Sequence, residues 1–567
     1  MSARRARAGD SEPFVGETVL DAEETRPGLV GRRAIGLHAL FTAIAVVTRL
    51  PFLRAGFLNV DEAAHLLGSW ELLRGGRLYE DFADNKPPLV YTFYAAAQLL
   101  CGPGIQSVRV VAALVLLPLT ALAAAFFFGL GRRGVAAAIA FLVASGALLA
   151  SDAHVAHCEH VALLPLAWSM VVLRSPAALR RRGRLFVAGA LVGIASLAKQ
   201  PAAAVVGAIA VAVLLAEMRS RRELRPSAPR GASPGSASAP RGPSPLRASS
   251  PRRILVSWGA LAAGFASPIA VAACLFASSG TLRSAVFWVW DYNFAHIDNP
   301  MPLADKAARL AEMGALVVPA AAPLVLAALL ARRLPPCGHR RRLPLLFAAA
   351  TFPPALLGMR LFGHYFLPLL FALALAAAPF LGASRPPRLR RPVVAFGLFA
   401  FAVFSVVGCV VYAPAAGLVD VSRPTYERIG EVIREDERAC EGPLFVWGYA
   451  PSIYTYAAGR PASRFVVPID TLTGYLAGND AALDGKVDTG SRIDPAHWRD
   501  LMSDLERRRP AHVVDTAPAD LNRWGRFSLD RFPRLQELVR ARYRTLAIVD
   551  GAVIYRRIDC DEVAVPH

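Results

Sequence analysis

"SVRVVAALVLLPLTALAAAFFFGLGRR" occupies residues 107–133. The run 107–130 is apolar enough to cross a bilayer, and it ends on Arg132-Arg133. A membrane-crossing helix needs about 20 mostly apolar residues, and arginine clusters stay on the cytoplasmic side. Residues 107–130 therefore read as one span that enters from outside and ends inside. The same alternation of apolar run and arginine cluster recurs along the chain, at 35–53, 107–130, 134–151, 160–173, 185–199, 201–218, 254–277, 312–331, 343–359, 365–382 and 392–414.

Arg32-Arg33 places the N-terminal tail, residues 1–34, in the cytoplasm, so the first span runs outward. Arg132-Arg133 returns inside, which allows one crossing between 87 and 131 and not two. The stretch 87–101 is short, opens with Pro87-Pro88 and contains Gln98. It reads as a helix at the outer interface, within a first outer loop of 54–106, and Pro87-Pro88 suits a first helical turn. Further inside clusters fall at Arg180-Arg181-Arg182, across 219–253, at Arg340-Arg341-Arg342, and at Arg388, Arg390 and Arg391. The parity gives about 11 spans in a domain of 35–414, with the C-terminus outside. Residues 219–253, rich in Arg, Ser, Pro, Gly and Ala, read as a disordered cytoplasmic linker.

Composition agrees. Of the 567 residues, 54% are hydrophobic, and the net charge is +20. A nucleic-acid-binding surface would gather its cations on one face, whereas these arginines sit between apolar runs. They are accounted for by topology and by attraction to membrane lipids, with no nucleic acid partner. The seven cysteines show no CxxC spacing, which argues against a structural zinc site. No signal-peptide core precedes the first span, so that span itself serves for targeting.

Residues 415–567 read as a separate extracytoplasmic α/β domain. "GPLFVWGY" (442–449) and "HVVDTA" (512–517) are expected as buried strands, and "PTYERIGEVIRE" (424–435) and "LQELVRARY" (535–543) as amphipathic helices. Asp550-Gly551 is expected at a hairpin turn. Cys440 and Cys560 are the only cysteines there, and an oxidising compartment permits their pairing.

The unusual polar residues collect at the outer ends of the spans. Asp61, Glu62, Asp81, Asp84 and Lys86 lie in the first outer loop. Asp152, His154, His157, Glu159 and His160 lie in the second, and Lys199 ends the fifth span. Asp291 and His296 follow in the loop 278–311, and Arg360 and His364 stand between the ninth and tenth spans. Ionisable groups at the edge of hydrocarbon are costly and mark sites. Each also has a plainer reading: Asp61-Glu62 as a helix cap, Lys199 and Arg360 as snorkelling cations, the three histidines as interfacial groups or metal ligands. A transporter or lipid-linked-sugar flippase is the main alternative, but no internal repeat is evident and the charges do not sit at mid-bilayer. A non-catalytic scaffold is a further alternative.

Six stretches, "VDEAAH", "DFADNKPPLVYTFY", "HCEHVALLPLAW", "GIASLAKQPA", "RLFGHYFLPLLFALAL" and "VWGYAPSIYTYAAGRPASRF", taken in that order, resemble bacterial membrane glycosyltransferases of the GT-C fold. These include protein O-mannosyltransferases and the lipid A aminoarabinose transferase. The resemblance implies an enzyme of the cytoplasmic membrane that moves a sugar from a polyprenyl-phosphate donor to a hydroxyl on an envelope glycan, lipid or protein, at the outer face. It implies Asp61 as the general base and Lys86, in the KPP motif, near the donor phosphate, with Lys199, Arg360 and His364 as further phosphate-side groups. Glu159 matches an acidic position that in some members binds a divalent metal. Asn85 stands where some relatives carry a metal-binding glutamate, with Asp84 one step earlier, so a metal on Glu159 and Asp84 is the weaker part of the resemblance.

Overall fold

The computed structural model describes residues 27–53, 56–57, 59–148, 156–223, 251–334, 338–384, 388–407, 423–468 and 470–560. The bundle comprises α1 (Pro27–Leu53), α2 (Val60–Leu73), α3 (Pro88–Cys101), α4 (Ile105–Phe127), α5 (Arg132–Ala147), α6 (Cys158–Val172) and α7 (Arg182–Ser196). It continues with α8 (Ala204–Glu223), α9 (Pro251–Ser278), α10 (Leu303–Leu330), α11 (His339–Ala355), α12 (Leu367–Leu381) and α13 (Arg390–Val407). A helix meets each of the eleven expected spans, and α3 is a separate, shorter apolar helix over the stretch expected at the interface. By length and composition six of these are long and apolar enough to cross a membrane: Val30–Leu50, Ile105–Phe127, Gln200–Arg219, Pro251–Ser278, Leu303–Arg333 and Gly363–Leu381. The others are shorter. α6 has 15 residues, about 22 Å at 1.5 Å per residue, and is buried on nearly all sides, as suits a helix apolar all round beyond its first turn.

Several expectations fall wholly or partly outside the described residues. They are most of the N-terminal tail, most of the linker at 219–253, the end of the last span, and Asp152 and His154.

Beyond the bundle, four strands order as β1 (Leu444–Trp447), β2 (His512–Asp515), β4 (Ala552–Arg557) and β3 (Tyr543–Val549). β1 and β2 run parallel and the other pairs antiparallel. β1 and β2 are buried at every position, which explains the unbroken apolar run of β1 and the apolar centre of β2. Asp550 (φ 49°) and Gly551 (φ 93°) both sit in the left-handed region, as a two-residue turn between right-twisted strands requires. α14 (Arg423–Asp436), α15 (Pro495–Arg508) and α16 (Pro533–Arg542) accompany the sheet. A Cys440–Cys560 disulfide joins the loop before β1 to the chain after β4.

This C-terminal domain is docked on the bundle. The Ala83 N–H donates to the Arg464 carbonyl at 2.9 Å. Arg460 pairs with Glu71 at 3.3 Å, and Tyr292 donates to Asp470 at 2.5 Å. Asn479 donates to Asn299 at 2.7 Å.

Candidate active site

The docked domain and the bundle enclose a cavity of about 780 Å³. Asp61, Asp84, Lys86, Glu159, Lys199, Arg360 and His364 line it. Residues hundreds of positions apart therefore share one chamber at one end of the bundle, as the loop arithmetic anticipates.

Asp61 stands in the first turn of α2, but it does not cap the helix. Asn59 does, accepting from the Asp61 N–H at 2.7 Å. The Asp61 carboxylate is left to face the cavity, where Lys86 Nζ lies 3.7 Å from its Oδ2. Burial is the largest influence on the Asp61 carboxyl and would raise it, but the Lys86 ammonium and the nearby His65, His157 and His364 together outweigh it and hold the group well below the usual carboxylate range. His65, one turn along α2, is itself pushed down to about 3, chiefly by burial, so at neutral pH Lys86 supplies the persistent charge. Lys86 is raised in turn, because Asp61 and Asp84 outweigh its own burial.

The loop that carries Lys86 is tied down from several sides. Tyr79 donates to the Lys86 carbonyl at 2.8 Å. Asn293 and Gln200 donate to the Asn85 carbonyl at 2.8 and 3.3 Å. Asp84 accepts from Tyr91 at 2.7 Å and from the Asn85 N–H at 2.6 Å, and burial raises its pKa.

A second charged group faces this one. Lys199 Nζ lies 2.9 Å from Glu159 Oε1 and 4.6 Å from the centre of the Tyr365 ring. His364 Nε2 is 3.9 Å from Glu159 Oε2. The His364 ring stacks on His157, with centroids 3.8 Å apart and planes 17° apart. Arg360 is buried between Met359 and Leu361, both with φ 52°. Non-glycine residues in that region cost on the order of 1–3 kcal/mol each and persist only where surrounding structure enforces them. Here they turn a buried guanidinium toward the cavity.

A divalent ion fits this donor set poorly. Ligand atoms of His157, Glu159 and His364 do lie within 4.8 Å of one another. But the Lys199 ammonium already occupies the cation position on Glu159, and near-parallel stacked imidazoles send their in-plane lone pairs alongside each other instead of toward one point. Both Asp84 oxygens accept from protein donors.

Two sequence candidates lie elsewhere. Glu62 points away from the cavity and is fully buried, taking Arg109 in a bidentate pair at 2.9 and 2.6 Å. Asp81 pairs with Arg77 at 3.3 Å and faces Arg508 at 3.9 Å. Both are corrected here from site groups to structural ones: adjacent helix positions point in different directions, and Asp81 serves the docking seam. Sequence reasoning missed the far wall of the cavity, formed by Tyr449, Asp470, Tyr475, Asn522 and Arg523 of the C-terminal domain. The one signal for it was the position of Tyr449 just past a buried strand, in the quoted stretch at 446–465.

Residues 85–233 match the family described as dolichyl-phosphate-mannose-protein mannosyltransferase. That segment holds Lys86, Glu159 and Lys199. Among solved structures, ArnT from Cupriavidus metallidurans bound to undecaprenyl phosphate is 16% identical, with 94% of this chain and 99% of that one covered and a TM-score of 0.54. Its apo form gives 16% identity, coverage of 94% and 100%, and a TM-score of 0.50. No curated protein matches the sequence. The chain has the GT-C fold that its motifs implied, in an ArnT-like arrangement of bundle and C-terminal domain.

Proposed function

We propose that this chain is a membrane glycosyltransferase that moves a sugar from a polyprenyl-phosphate donor to a hydroxyl acceptor at the outer face of the cytoplasmic membrane, with Asp61 as general base. The observation that carries the reading is the half-buried Asp61 carboxylate 3.7 Å from Lys86, in a chamber that also holds Lys199, Arg360 and His364. The acceptor is an envelope glycan, lipid or protein hydroxyl.

The chemistry follows from these groups. As the acceptor oxygen attacks the anomeric carbon, its proton passes to Asp61, which the neighbouring ammonium keeps ionised. The bond between that carbon and the phosphate oxygen breaks, and its electron pair stays on the polyprenyl phosphate. Lys86 and Arg360 stand ready for the added negative charge, and fixed cations in a chamber partly closed to water stabilise it without solvent reorganisation. Lys199 is engaged by Glu159, which places it as a support of the phosphate side. A lipid tail can remain in the bilayer while its head enters the chamber. The Cys440–Cys560 disulfide supports an extracytoplasmic location for the C-terminal domain, since such bonds persist in oxidising compartments.

The test is Asp61→Asn. Because the helix is capped by Asn59, this variant should insert and fold as wild type yet lose transfer by about a hundredfold or more. The assay follows envelope glycans by mass spectrometry in a deletion strain complemented with either form. Normal glycans with the variant would remove Asp61 as base.

A further inference from the structure

The C-terminal domain places one hydroxyl among the charges of the cavity. Tyr449 lies two residues past the end of β1, and both its ring and its backbone are held. It stacks on Tyr475, with centroids 4.7 Å apart and planes 27° apart. Its carbonyl accepts from Asn522 Nδ2 at 2.6 Å, and the Tyr475 hydroxyl donates to the Asn522 carbonyl at 3.0 Å. Asp520, Asn522 and Arg523 all adopt positive φ, at 49°, 55° and 59°, so the loop that clamps Tyr449 is held in a conformation that non-glycine residues rarely take. Among the described residues the Tyr449 hydroxyl has no hydrogen-bond partner, although Tyr449 lines the same chamber as Asp61, Lys86 and Arg360.

We infer that Tyr449 is a substrate-contacting residue of the reaction centre, its phenol donating a hydrogen bond to the phosphate of the lipid-linked donor. The inference rests on the function proposed above and adds to it a residue from the C-terminal domain. Burial first, and then the Asp61 carboxylate, raise the Tyr449 pKa, so the phenol keeps its proton and acts as a donor. A pre-oriented O–H with no protein acceptor, in a chamber that also presents Lys86 and Arg360, is matched by a phosphate oxygen. The acceptor hydroxyl, in contrast, needs a group that takes a proton, and Asp61 provides it. The C-terminal domain then closes over the donor head and completes its binding site.

The experiment measures binding of undecaprenyl phosphate, and of uncharged undecaprenol, to the full chain in detergent. Tyr449→Phe keeps the ring contacts and removes a hydroxyl that holds nothing in the protein, and its melting temperature should match wild type. Affinity for undecaprenyl phosphate should fall about tenfold, the usual loss of a hydrogen bond to a charged group, with affinity for undecaprenol unchanged. Asn522→Gly, which releases the Tyr449 carbonyl while suiting the positive φ, should weaken phosphate binding by a smaller factor. Equal phosphate affinity in wild type and Tyr449→Phe overturns the inference, and a loss of transfer at unchanged phosphate affinity also overturns it by assigning Tyr449 to the acceptor. If wild type itself does not distinguish the phosphate from the alcohol, the proposed function fails and this inference fails with it.

Discussion

At the scale of single residues, the decisive pair is Asp61 and Lys86. Opposing influences meet on the Asp61 carboxyl: burial, the largest, raises its pKa, while Lys86 first and then three histidines lower it, and together they prevail. With Asp61 as the proposed base, the free protein should keep it ionised well into acid, with kcat/KM falling only as pH drops through the depressed value. In Lys86→Met burial loses its largest opponent. The acid limb of the normalised kcat/KM profile should then move upward, so that activity is lost at a higher pH, beside an overall drop from weaker phosphate binding. An unmoved limb would show that Lys86 does not set the state of Asp61. Most of this cluster was legible in the sequence, because an ionisable residue at the end of an apolar run has few reasons to be there. Glu62 was misread because it is adjacent to Asp61 and equally acidic, and only the direction of its side chain separates them. Tyr449 was invisible as a site residue because a tyrosine after a strand in a polar domain is ordinary until its hydroxyl is seen without a partner.

At the scale of elements, Glu62 explains how α2 is held in place. Its bidentate pair with Arg109 joins α2 to α4, and Arg109 also donates to the Gly56 carbonyl at 2.7 Å. Both side chains are almost wholly buried. Removing one partner of such a pair strands a charge, at about 3–5 kcal/mol, whereas replacing both with apolar residues is often neutral. Glu62→Ala should thus lower the unfolding free energy by about that amount, and Glu62→Met with Arg109→Leu should recover most of it, as read by thermal unfolding in detergent. A double variant no more stable than the single would mean that the ion pair is needed for α2 geometry beyond its charge balance. The span pattern itself was readable because hydrophobic length and arginine placement are one-dimensional signals. Helix partnership is not: α7 carries Gly189 and Gly193 four apart, and a Cβ at either would strike the Leu261 or Phe265 carbonyl of α9. That close crossing needs small residues on one particular face, which shows only when the partner helix is known.

At the scale of the whole molecule, the proposed reaction would depend on how firmly the C-terminal domain stays over the bundle. The docking seam mixes polar and aromatic contacts spread over distant residues: Arg492 reaches the backbone at Asp298, Tyr292 donates to Asp470, Trp288 stacks on His497, and Phe57 meets the Tyr456 ring edge-on. None of these pairs could be read from the sequence, since each joins segments with no shared periodicity; the sheet could, because its strands and its Asp550-Gly551 turn are local signals. The domain that makes the seam is itself closed by Cys440–Cys560, across a sequence separation of 120. In the chain-entropy view a bond closing a loop of that size stabilises by about 4–5 kcal/mol. The proposed location makes a sharp claim about this bond. In intact cells both cysteines should resist a bulky maleimide until reductant is added, while a Cys440→Ser/Cys560→Ser chain should melt earlier and lose donor affinity as the far wall of the cavity loosens. Free thiols at both positions in cells would place the domain in a reducing compartment. The chamber would then open to the cytoplasm, and the donor would have to be presented from the inner leaflet.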